Sequence, residues 1–308
     1  MAKISSLGLD TSNYTTSVSF LCGDEIIEDR RILLKVKPGE RGLRQSDALF
    51  QHWNNLPGLL EPVLRKHKDE IERICVSTRP RPVEGSYMPV FNAGAAVGKM
   101  LSDALGVPLI ECSHQEGHIL AAALGNDVDF EEPVLCAHLS GGTLEIVRYE
   151  KGTIELISGT LDISFGQLID RTGVAMGYGF PAGKEIDRLA MEQMDVLGGI
   201  AVKHKNPICK ACLKDGKVNL SGVEAQISQN LDKYTQQEIA FFLMERISQS
   251  IVSMMEDAKE KSGINQVLIS GGVASSSFLR KFCEDYGYIF GQPRLCSDNA
   301  VGVARYNK

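Results

Sequence analysis

Two histidines that lie four residues apart, His114 and His118, are the residues of this chain best placed to do chemistry. A spacing of four is about one helical turn, so on a helix the two imidazoles project from the same face. The apolar run over residues 119–124 favours a helix, and Ser113 is suited to be its N-cap. Two imidazoles on one face can bind a divalent metal ion. The pair therefore predicts a metal site, and the alternative is two histidines hydrogen-bonded within a packed helix face.

The same stretch does not match a metalloprotease helix. In the protease motif His-Glu-x-x-His, the glutamate that acts as general base directly follows the first histidine, whereas here Glu116 directly precedes Gly117. The protease position therefore lacks a general base, and the sequence offers no nucleophile paired with a base. Proteolysis is not an expected activity of this chain.

Length and charge limit the classes of protein to which the chain can belong. Its 308 residues, 43% of them hydrophobic, suffice for two domains or for two lobes around a cleft. The net charge of −6 excludes a basic nucleic-acid footprint over the whole surface. Six basic residues lie close together within positions 30–44. They predict either a local basic patch or, as the favoured alternative, a solvated loop face.

Cysteine usage and the apolar segments bear on the compartment. Several of the eight cysteines lie in apolar, strand-like runs of a long chain, which is typical of reduced thiols in a cytoplasmic protein. The first residues lack the apolar core of a signal peptide, and no run approaches the length of a membrane span. We therefore expect a cytoplasmic protein without a membrane partner.

The elements that must position the histidines follow a pattern that occurs twice. A strand–turn–strand–strand sequence is predicted at residues 4–34 and again at 133–161, and helices follow each copy. Two such units predict a duplicated α/β fold in which two lobes enclose a cleft. Pro57 is expected to kink or split the first long helix. That first helix is predicted at about 43–66, and the others at about 91–105, 164–176, 183–193, 223–261, 275–286 and 301–306, with an irregular region at 198–220.

Three small-residue turns stand where a nucleotide could bind. They occupy residues 10–15, 140–143 and 270–273, each directly after a predicted strand. Backbone amides in such turns, and helix N-termini, hold phosphate groups. One such turn is weak evidence, but three in equivalent places predict a nucleotide site in the cleft.

An ordered series of short motifs resembles the TsaD/Gcp/Kae family, once called O-sialoglycoprotein endopeptidases. The motifs occupy residues 9–12, 114–118, 139–143, 166–170, 180–187, 270–274 and 297–299. The resemblance spans about residues 5–304. It implies the actin/Hsp70/sugar-kinase (ASKHA) fold. It also implies transfer of a threonylcarbamoyl group from threonylcarbamoyl-adenylate to the N6 amine of the adenosine next to the anticodon of tRNAs.

The resemblance also implies the metal ligands. Carried over position by position, His114, His118 and Asp298 would bind one divalent ion, either iron(II) or zinc, with positions left open for substrate. Such an ion acts as a Lewis acid that polarises the carbamoyl carbonyl. The alternative for Asp298 is the N-cap of the last helix. Asp10 and Ser140, which begin the first two small-residue turns, are the candidate catalytic residues.

An adenine nucleotide is the second expected ligand, as ATP, AMP or the acyl-adenylate substrate. The family positions that match Asp170 and Asp187 hold the ribose hydroxyls, and two carboxylates can accept hydrogen bonds from a 2′,3′-diol. Gly183 and Gly272 match glycines that approach the nucleotide closely, where a Cβ atom would clash. The full set of candidate nucleotide-binding residues is Gly141, Gly142, Asp170, Gly183, Asp187, Gly272 and Ser276.

These expectations divide the chain into three parts. An N-terminal lobe is expected over residues 1–112, and a metal-binding helix between the lobes over 113–128. The C-terminal lobe is expected over 129–308, with the irregular region at about 198–220 as an insert.

Several positions depart from the family pattern. Thr143 stands where the family has histidine after Ser-Gly-Gly, and residues 13–15 lack the acidic side chains of the family's opening turn. Residues 79–85 add two arginines to a loop that is Gly-Pro-Gly in the family. Ser276 replaces an asparagine, and Ala182 replaces a glycine. The metal ligands are kept while groups near the acyl end change, which indicates a divergent paralogue with weak activity on its own.

The sequence is compatible with functions of three classes. The leading one is metal-dependent transfer of a (threonyl)carbamoyl group to an amine. The second is ATP hydrolysis or phosphoryl transfer on the same fold, with Asp10 as the carboxylate base. The third is a non-catalytic scaffold, against which the three metal ligands count. The expected partners are tRNA and either a protein of the same fold or a second copy of this chain.

One cysteine pair lies outside these motifs. Cys209-x-x-Cys212, with His204 nearby, could form half of a zinc site, but a single pair is weak evidence for one. The alternative for this stretch is an insert that contacts tRNA.

Overall fold

The computed structural model describes residues 3–12, 14–36, 43–200 and 204–307. The chain divides into two compact units, the first formed by Met1–Asn126 with Leu295–Lys308 and the second by Asp127–Arg294. This division differs from the expected boundaries in two respects. The histidine helix belongs to the first unit, and so does the C-terminal segment, because the chain returns to that unit after residue 294. The predicted cleft stays a prediction.

The first unit is built on a five-stranded mixed sheet with the order β3-β2-β1-β4-β5. The strands β1 and β2, and β2 and β3, pair antiparallel, whereas β4 lies parallel to both β1 and β5. Their bounds are β1 (Ser5–Asp10), β2 (Thr15–Cys22), β3 (Glu25–Leu33), β4 (Arg73–Arg79) and β5 (Leu109–Ser113).

The second unit repeats this arrangement and thereby confirms the predicted duplication. Its sheet has the order β12-β11-β6-β7-β8, with two parallel pairs followed by two antiparallel pairs, which is the pattern of the first sheet read from β5 to β3. The turn between the second and third strands of this sheet is at Lys151 and Gly152, both with positive φ, as a two-residue hairpin requires. The strands are β6 (Val134–Leu139), β7 (Leu144–Glu150), β8 (Thr153–Gly159), β11 (Val267–Ser270) and β12 (Ile289–Phe290).

Four helices flank the sheet of the first unit. They are α1 (Gln45–His67), α2 (Phe91–Leu105), α3 (His114–Ala123) and α10 (Val301–Ala304). The expectation that Pro57 kinks or splits the first helix is wrong as to the split, because α1 runs through both Pro57 and Pro62, and the kink stays a prediction. A proline inside a helix loses one backbone hydrogen bond, and here the buried face of α1, which includes Leu56, Leu60 and Val63, packs into the core and offsets that loss.

The helices of the second unit differ from the sequence prediction at one place. The predicted helix over 223–261 is two helices, α6 (Ser221–Asn230) and α7 (Gln236–Ser262). Thr235 begins the second of them with a reciprocal capping box, in which its hydroxyl accepts from the backbone N–H of Glu238 and the Glu238 carboxylate accepts from the N–H of Thr235. The remaining helices are α4 (Phe165–Ala175), α5 (Gly183–Leu197), α8 (Ser277–Phe282) and α9 (Pro293–Cys296).

The region predicted as irregular contains a short hairpin. Strands β9 (Cys212–Lys214) and β10 (Lys217–Asn219) pair antiparallel across Asp215 and Gly216, which both have positive φ. Asp-Gly is a strong signal for such a turn. The expectation of an irregular segment over 198–220 is therefore corrected for these two strands.

Side chains along β1 point alternately to the two faces of the sheet and contact different neighbours on each face. Leu7 and Leu9 belong to the core cluster that includes side chains of α1. Successive side chains of a strand point to opposite faces, so Gly8 and Asp10 face the other way. A Cβ atom on Gly8 would lie 2.5 Å from the carbonyl oxygen of Ala300, just before α10. This second face carries the site described below.

All eight cysteines are free thiols, and burial raises the pKa of the Cys75 thiol to about 11, so that it stays protonated. Among the described residues, no helix is both long enough and apolar enough to cross a membrane.

Asp162 ties the segment after β8 to the start of α6. Its carboxylate accepts hydrogen bonds from the backbone N–H groups of Ile163 (2.8 Å), Leu220 (3.0 Å) and Ser221 (2.7 Å), and from the Ser221 hydroxyl. Burial raises the pKa of Asp162, but these hydrogen bonds outweigh it and lower the pKa to about 2.

We expect Asp162→Asn to lower the free energy of unfolding by about 1 kcal/mol at pH 7, since charged acceptors form the stronger hydrogen bonds. The folded-state pKa lies below the unfolded value of about 3.9. The stabilisation is therefore present above that value and is lost as the pH falls toward 2. Urea unfolding at pH 7 and pH 3 measures this difference. Asp232→Asn, at an exposed position of the same unit, is the control. An equal loss at both pH values would contradict the assignment.

Candidate functional site

A capping box fixes the start of helix α3 and thereby the direction in which both histidine side chains point. Ser113 is its N-cap, as predicted, and completes a capping box with Glu116. The Glu116 carboxylate, which is almost fully buried, also accepts a hydrogen bond from the Tyr306 hydroxyl at 2.9 Å. His114 is the first residue of the helix and His118 lies one turn later, with their ring centroids 4.3 Å apart.

Close packing of two glycines brings the C-terminal segment against this helix. A Cβ atom on Gly302 would lie 1.8 Å from the carbonyl oxygen of Gly117 and 2.6 Å from the backbone nitrogen of Ala121. Only glycine allows the backbones of α3 and α10 to approach so closely. Asp298 lies just before α10, so this approach also delivers its carboxylate to the histidines.

The three predicted metal ligands converge. The Nε2 atoms of His114 and His118 are 3.0 Å apart, and Oδ1 of Asp298 lies 3.6 Å and 3.5 Å from them. Ligand atoms about 2.1 Å from one ion are roughly 3.0–3.4 Å from each other in octahedral or tetrahedral geometry. Among the described residues, this is the only group of three or more such side chains whose ligand atoms lie close enough together to hold a metal. Two imidazoles and one carboxylate fit iron(II) or zinc.

Asp10 lies directly behind this centre. Its Oδ2 atom is 3.3 Å from Nδ1 of His114, and its carboxylate also accepts hydrogen bonds from the hydroxyls of Ser12 (3.0 Å) and Ser77 (2.5 Å). The residue is completely buried. A carboxylate at Nδ1 keeps the proton on that nitrogen and leaves Nε2 free to ligate, as in many metal sites. Because its oxygens are enclosed, Asp10 has no open face for a substrate, in contrast to the catalytic role expected for it.

The charges of this centre favour a cation. Burial lowers the pKa of His114, but Asp10 and Asp298 on either side raise it by more, and the net pKa lies well above its usual value. Burial and the neighbouring His114 lower the pKa of His118. Burial raises the pKa of Asp298, but the two imidazoles outweigh it and hold the pKa far below its ordinary range. Two carboxylates around two imidazoles thus stabilise one positive charge.

The turn predicted to hold phosphate in the second unit joins β6 to β7. The Ser140 hydroxyl, a predicted catalytic group, accepts a hydrogen bond from the backbone N–H of Thr143 at 3.0 Å and so closes the turn. Gly141 and Gly142 face open space, since a Cβ atom on either would have no neighbour within 4 Å. Gly166 is different, because a Cβ atom there would lie 2.5 Å from the Ser140 carbonyl oxygen. Helix α4 therefore starts directly against the turn.

The two carboxylates predicted to hold a ribose already hold backbone groups of the second unit. Asp170 accepts a hydrogen bond from the backbone N–H of Ala182 at 2.8 Å, and burial raises its pKa. Asp187 accepts from the N–H groups of Ser277 (2.9 Å) and Phe278 (3.1 Å) at the start of α8, and from the Ser276 hydroxyl. Each carboxylate keeps unused acceptor capacity. Their first role is to connect α4, α5 and α8.

The remaining glycines of the predicted nucleotide site have free space above them. A Cβ atom on Gly183 or on Gly272 would meet no atom within 4 Å. Gly271, by contrast, has φ +87°, and a Cβ atom there would lie 2.4 Å from the carbonyl oxygen of Leu139. The two adjacent glycines therefore differ. Gly271 is required by the backbone conformation and by the close contact with Leu139, whereas Gly272 leaves an open surface.

Two other sequence interpretations change with the structure. Asp298 is not the N-cap of the last helix, whose N-cap is Ala300, and its Oδ2 atom accepts from the backbone N–H of Tyr14 at 3.4 Å. Cys209 and Cys212 are exposed and belong to no group of three metal-ligating side chains among the described residues.

Arg30 and Arg31 of the basic stretch 30–44 lie in strand β3 and not in the favoured solvated loop, and each has an acidic partner on the same strand. Arg30 pairs with Glu28 at 3.1 Å and Arg31 with Asp29 at 2.6 Å. Residues 37–42, which include two of these basic residues, lie outside the described residues, as does residue 13 of the opening turn.

Sequence reasoning missed the residues that hold the metal ligands in place. The Ser113-x-x-Glu116 spacing is a capping-box pattern and could have been recognised. The contact of Gly117 with Gly302 had no such signal, because a glycine in an apolar run does not reveal which backbone it meets.

Comparisons of the fold define the class of protein. A crystal structure of full-length HypF in its phosphate- and nucleotide-bound form superposes with a TM-score of 0.62 at 14% identity, over 99% of this chain and 46% of HypF. An activator of 2-hydroxyisocaproyl-CoA dehydratase from Clostridium difficile gives 0.54 at 12% identity, over 98% and 94% of the two chains. The chain spans just under half the length of HypF. Together with the repeated sheet, this likeness shows an α/β fold of the ASKHA class.

Sequence comparisons then give the family. The family model for TsaD, tRNA N6-adenosine threonylcarbamoyltransferase, matches residues 33–305, and the chain belongs to this family. A tRNA N6-adenosine threonylcarbamoyltransferase of Bacillus licheniformis is 28% identical over 97% of this chain and 89% of its own length. That of Bacillus subtilis is 29% identical over 97% and 88%. The resemblance drawn from the motifs is confirmed, and the protein is an acyltransferase of this type.

Proposed function

We propose that this chain transfers a threonylcarbamoyl group from threonylcarbamoyl-adenylate to the N6 amine of an adenosine in tRNA, and that the reaction depends on a divalent metal ion. The family supports the transfer to tRNA. The observation that carries the metal dependence is the convergence of His114, His118 and Asp298 on one point, with separations of 3.0–3.6 Å.

The residues of the metal centre have separate tasks in this proposal. Nε2 of His114, Nε2 of His118 and a carboxylate oxygen of Asp298 would hold the ion, which when bound supplies Lewis acidity toward a carbonyl or phosphate oxygen. Asp10 orients the His114 ring through Nδ1. In the transfer, the amine nitrogen forms a bond to the carbamoyl carbon, the bond from that carbon to the phosphate oxygen breaks, AMP leaves with the electron pair, and the amine releases one proton to water.

The geometry argues against the two alternatives. Phosphoryl transfer needs a carboxylate that can reach a metal-bound phosphate or a water molecule. Asp10, the residue considered for that role, is completely buried and engaged by Ser12, Ser77 and His114. A non-catalytic scaffold does not need three convergent ligands around a site that favours a cation.

The nucleotide is proposed to lie on the open glycine surfaces of the second unit. Gly272 supports this, because it is exposed and a Cβ atom on it would meet no atom within 4 Å, while Gly271 and Val273 on either side are buried. Ser276 and Asp187, which are joined by a hydrogen bond, lie at the start of the adjoining helix α8. A ligand that approaches the Gly272 backbone closely would exclude any side chain at this position.

We expect Gly272→Ala to weaken binding of ATP or AMP at least tenfold, about 1.4 kcal/mol, while the melting temperature stays within about 2 °C of wild type. The added Cβ atom meets no protein atom and would therefore clash only with a ligand. Isothermal titration calorimetry measures the affinity. Gly222→Ala, which also meets nothing within 4 Å and lies in α6, is the matched control. Unchanged nucleotide affinity in the Gly272 variant would show that the nucleotide does not bind on this surface.

The experiment that tests the whole function is reconstitution with threonylcarbamoyl-adenylate and an unmodified tRNA. Because Thr143 and the opening turn depart from the family pattern, we expect slow transfer by the chain alone and faster transfer with a partner of the same fold. Mass spectrometry of nucleosides measures the product. Multiple-turnover modification by the chain alone would contradict the partner dependence, and absence of product with and without partners would contradict the function.

A further inference from the structure

The β9–β10 hairpin and the residues just before it carry an unusual concentration of positive charge, since Lys214 and Lys217 lie in the two strands and Lys205 and Lys210 precede them. Four lysines lie within the thirteen residues 205–217, and all four are exposed. They are Lys205, Lys210, Lys214 and Lys217, and we call them the hairpin lysines. The single acidic residue within that stretch is Asp215, in the turn. This charge stands out in a chain whose net charge is −6.

The hairpin lysines differ from most other lysines of the described chain in having no ion pair there. Elsewhere in the described residues, six lysines each lie within 4 Å of a carboxylate oxygen. These are Lys3, Lys66, Lys99, Lys259, Lys261 and Lys281. The Asp257 carboxylate, whose Oδ2 atom would lie 2.7 Å from a Cβ atom on Gly216, is itself paired with Lys261 at 2.7 Å. The charges of the hairpin lysines are therefore available to a ligand.

Two of these charges oppose each other directly. Lys214 and Lys217 are partners in the register of β9 and β10, so their side chains stand on the same face of the hairpin. Like charges directly opposite on neighbouring strands destabilise a hairpin. The next pair on the same face, Cys212 and Asn219, is uncharged and does not compensate. A bound polyanion would attract both lysines and so offset the repulsion between them.

The hairpin presents its lysines on an anchored base. Ile208, Val218 and Leu220 are fully buried or nearly so, and Val218 directly follows the exposed Lys217. Arg246 donates from Nε to the Ile208 carbonyl at 2.6 Å, and the Ser158 hydroxyl donates to the Gly216 carbonyl at 2.6 Å. Charges held on a fixed platform lose less conformational entropy on binding than charges on a free loop.

We infer that the hairpin lysines bind the phosphate backbone of the RNA acceptor. The inference rests on the proposed function for the identity of the RNA as tRNA. Four separate positive charges suit a polyanion better than a mononucleotide, whose phosphates occupy one point. Because the overall charge repels a polyanion, attraction has to come from a local surface of this kind.

The test is tRNA binding as a function of salt concentration, measured by fluorescence anisotropy with labelled tRNA and the full chain. Each phosphate contact contributes about 0.7–0.9 to the slope of log K against log salt. Changing the four hairpin lysines to glutamine should reduce that slope by about 2–3 and weaken binding at least tenfold at 0.1 M salt. The matched control changes Lys35, Lys68, Lys151 and Lys233 to glutamine, four exposed lysines that remove the same charge.

Each outcome decides the matter. Loss of binding and slope in the hairpin variant alone supports the inference. Three results of the binding measurement would overturn it: equal losses in both variants, an unchanged hairpin variant, or no tRNA binding by the wild-type chain. It would also be overturned if polyglutamate competed as effectively as unlabelled tRNA. Nucleotide affinity and metal content of the hairpin variant should equal those of wild type. If wild type binds tRNA through the hairpin but forms no product, the proposed function fails and the inference stands.

Discussion

Purified His118→Ala protein is expected to contain divalent metal at background level, whereas the wild-type chain carries close to one ion. The Nε2 atom of His118 supplies one of three convergent ligand atoms, 3.0 Å from that of His114 and 3.5 Å from the Asp298 carboxylate. Loss of an outer hydrogen-bond partner alone typically weakens metal binding 10–100-fold. Loss of a ligand should therefore weaken it more than about 100-fold. Elemental analysis after dialysis measures the content.

Two further variants sharpen this test. Asp10→Asn keeps all three ligands but removes the charge behind His114, so metal affinity should fall by the intermediate factor of about 10–100. His67→Ala removes a histidine of the same unit whose partners are Glu28 and Glu70, and it should keep full metal content. Circular dichroism establishes that each variant is folded. Full metal occupancy in folded His118→Ala protein would refute the site.

Gly302→Ala is expected to lower the free energy of unfolding by about 3 kcal/mol and to weaken metal binding in whatever protein folds. Its Cβ atom would lie 1.8 Å from the Gly117 carbonyl oxygen, so α3 and α10 must move apart. Overpacking of a close contact typically costs 1–3 kcal/mol, and here the opposing atoms are backbone and cannot change rotamer. Since Asp298 lies just before α10, separation of these helices also withdraws a metal ligand.

Gly58→Ala is the matched control for this prediction. Gly58 lies inside α1, and a Cβ atom there would meet nothing within 4 Å. Alanine in an open helical position should be neutral or stabilising by up to about 1 kcal/mol. Thermal and urea unfolding of both variants measure the difference. A Gly302→Ala protein as stable as Gly58→Ala would show that the close approach of α3 and α10 does not need glycine.

Local sequence patterns were sufficient to predict a helix or strand wherever the segment contained its own cap or hydrophobic alternation. The histidine spacing and Ser113 predicted α3, and the repeated strand pattern predicted both sheets, because hydrophobic alternation and caps act over a few residues. Two errors came from signals that were present but not used. Thr235-x-x-Glu238 marks the start of α7, and Asp215-Gly216 marks a hairpin. The error at Pro57 was of another kind, since packing of the rest of α1 overrode a local preference.

The sequence by itself thus determined which residue types could ligate a metal and that two of them share a helix face. Only the tertiary structure decided that Asp298 joins them, because the C-terminal segment returns to the first unit and meets α3 through Gly117 and Gly302. It also decided that Asp10 lies behind the centre. No local pattern encodes these contacts, since the position of one segment against another depends on the packing of the whole unit around the sheet.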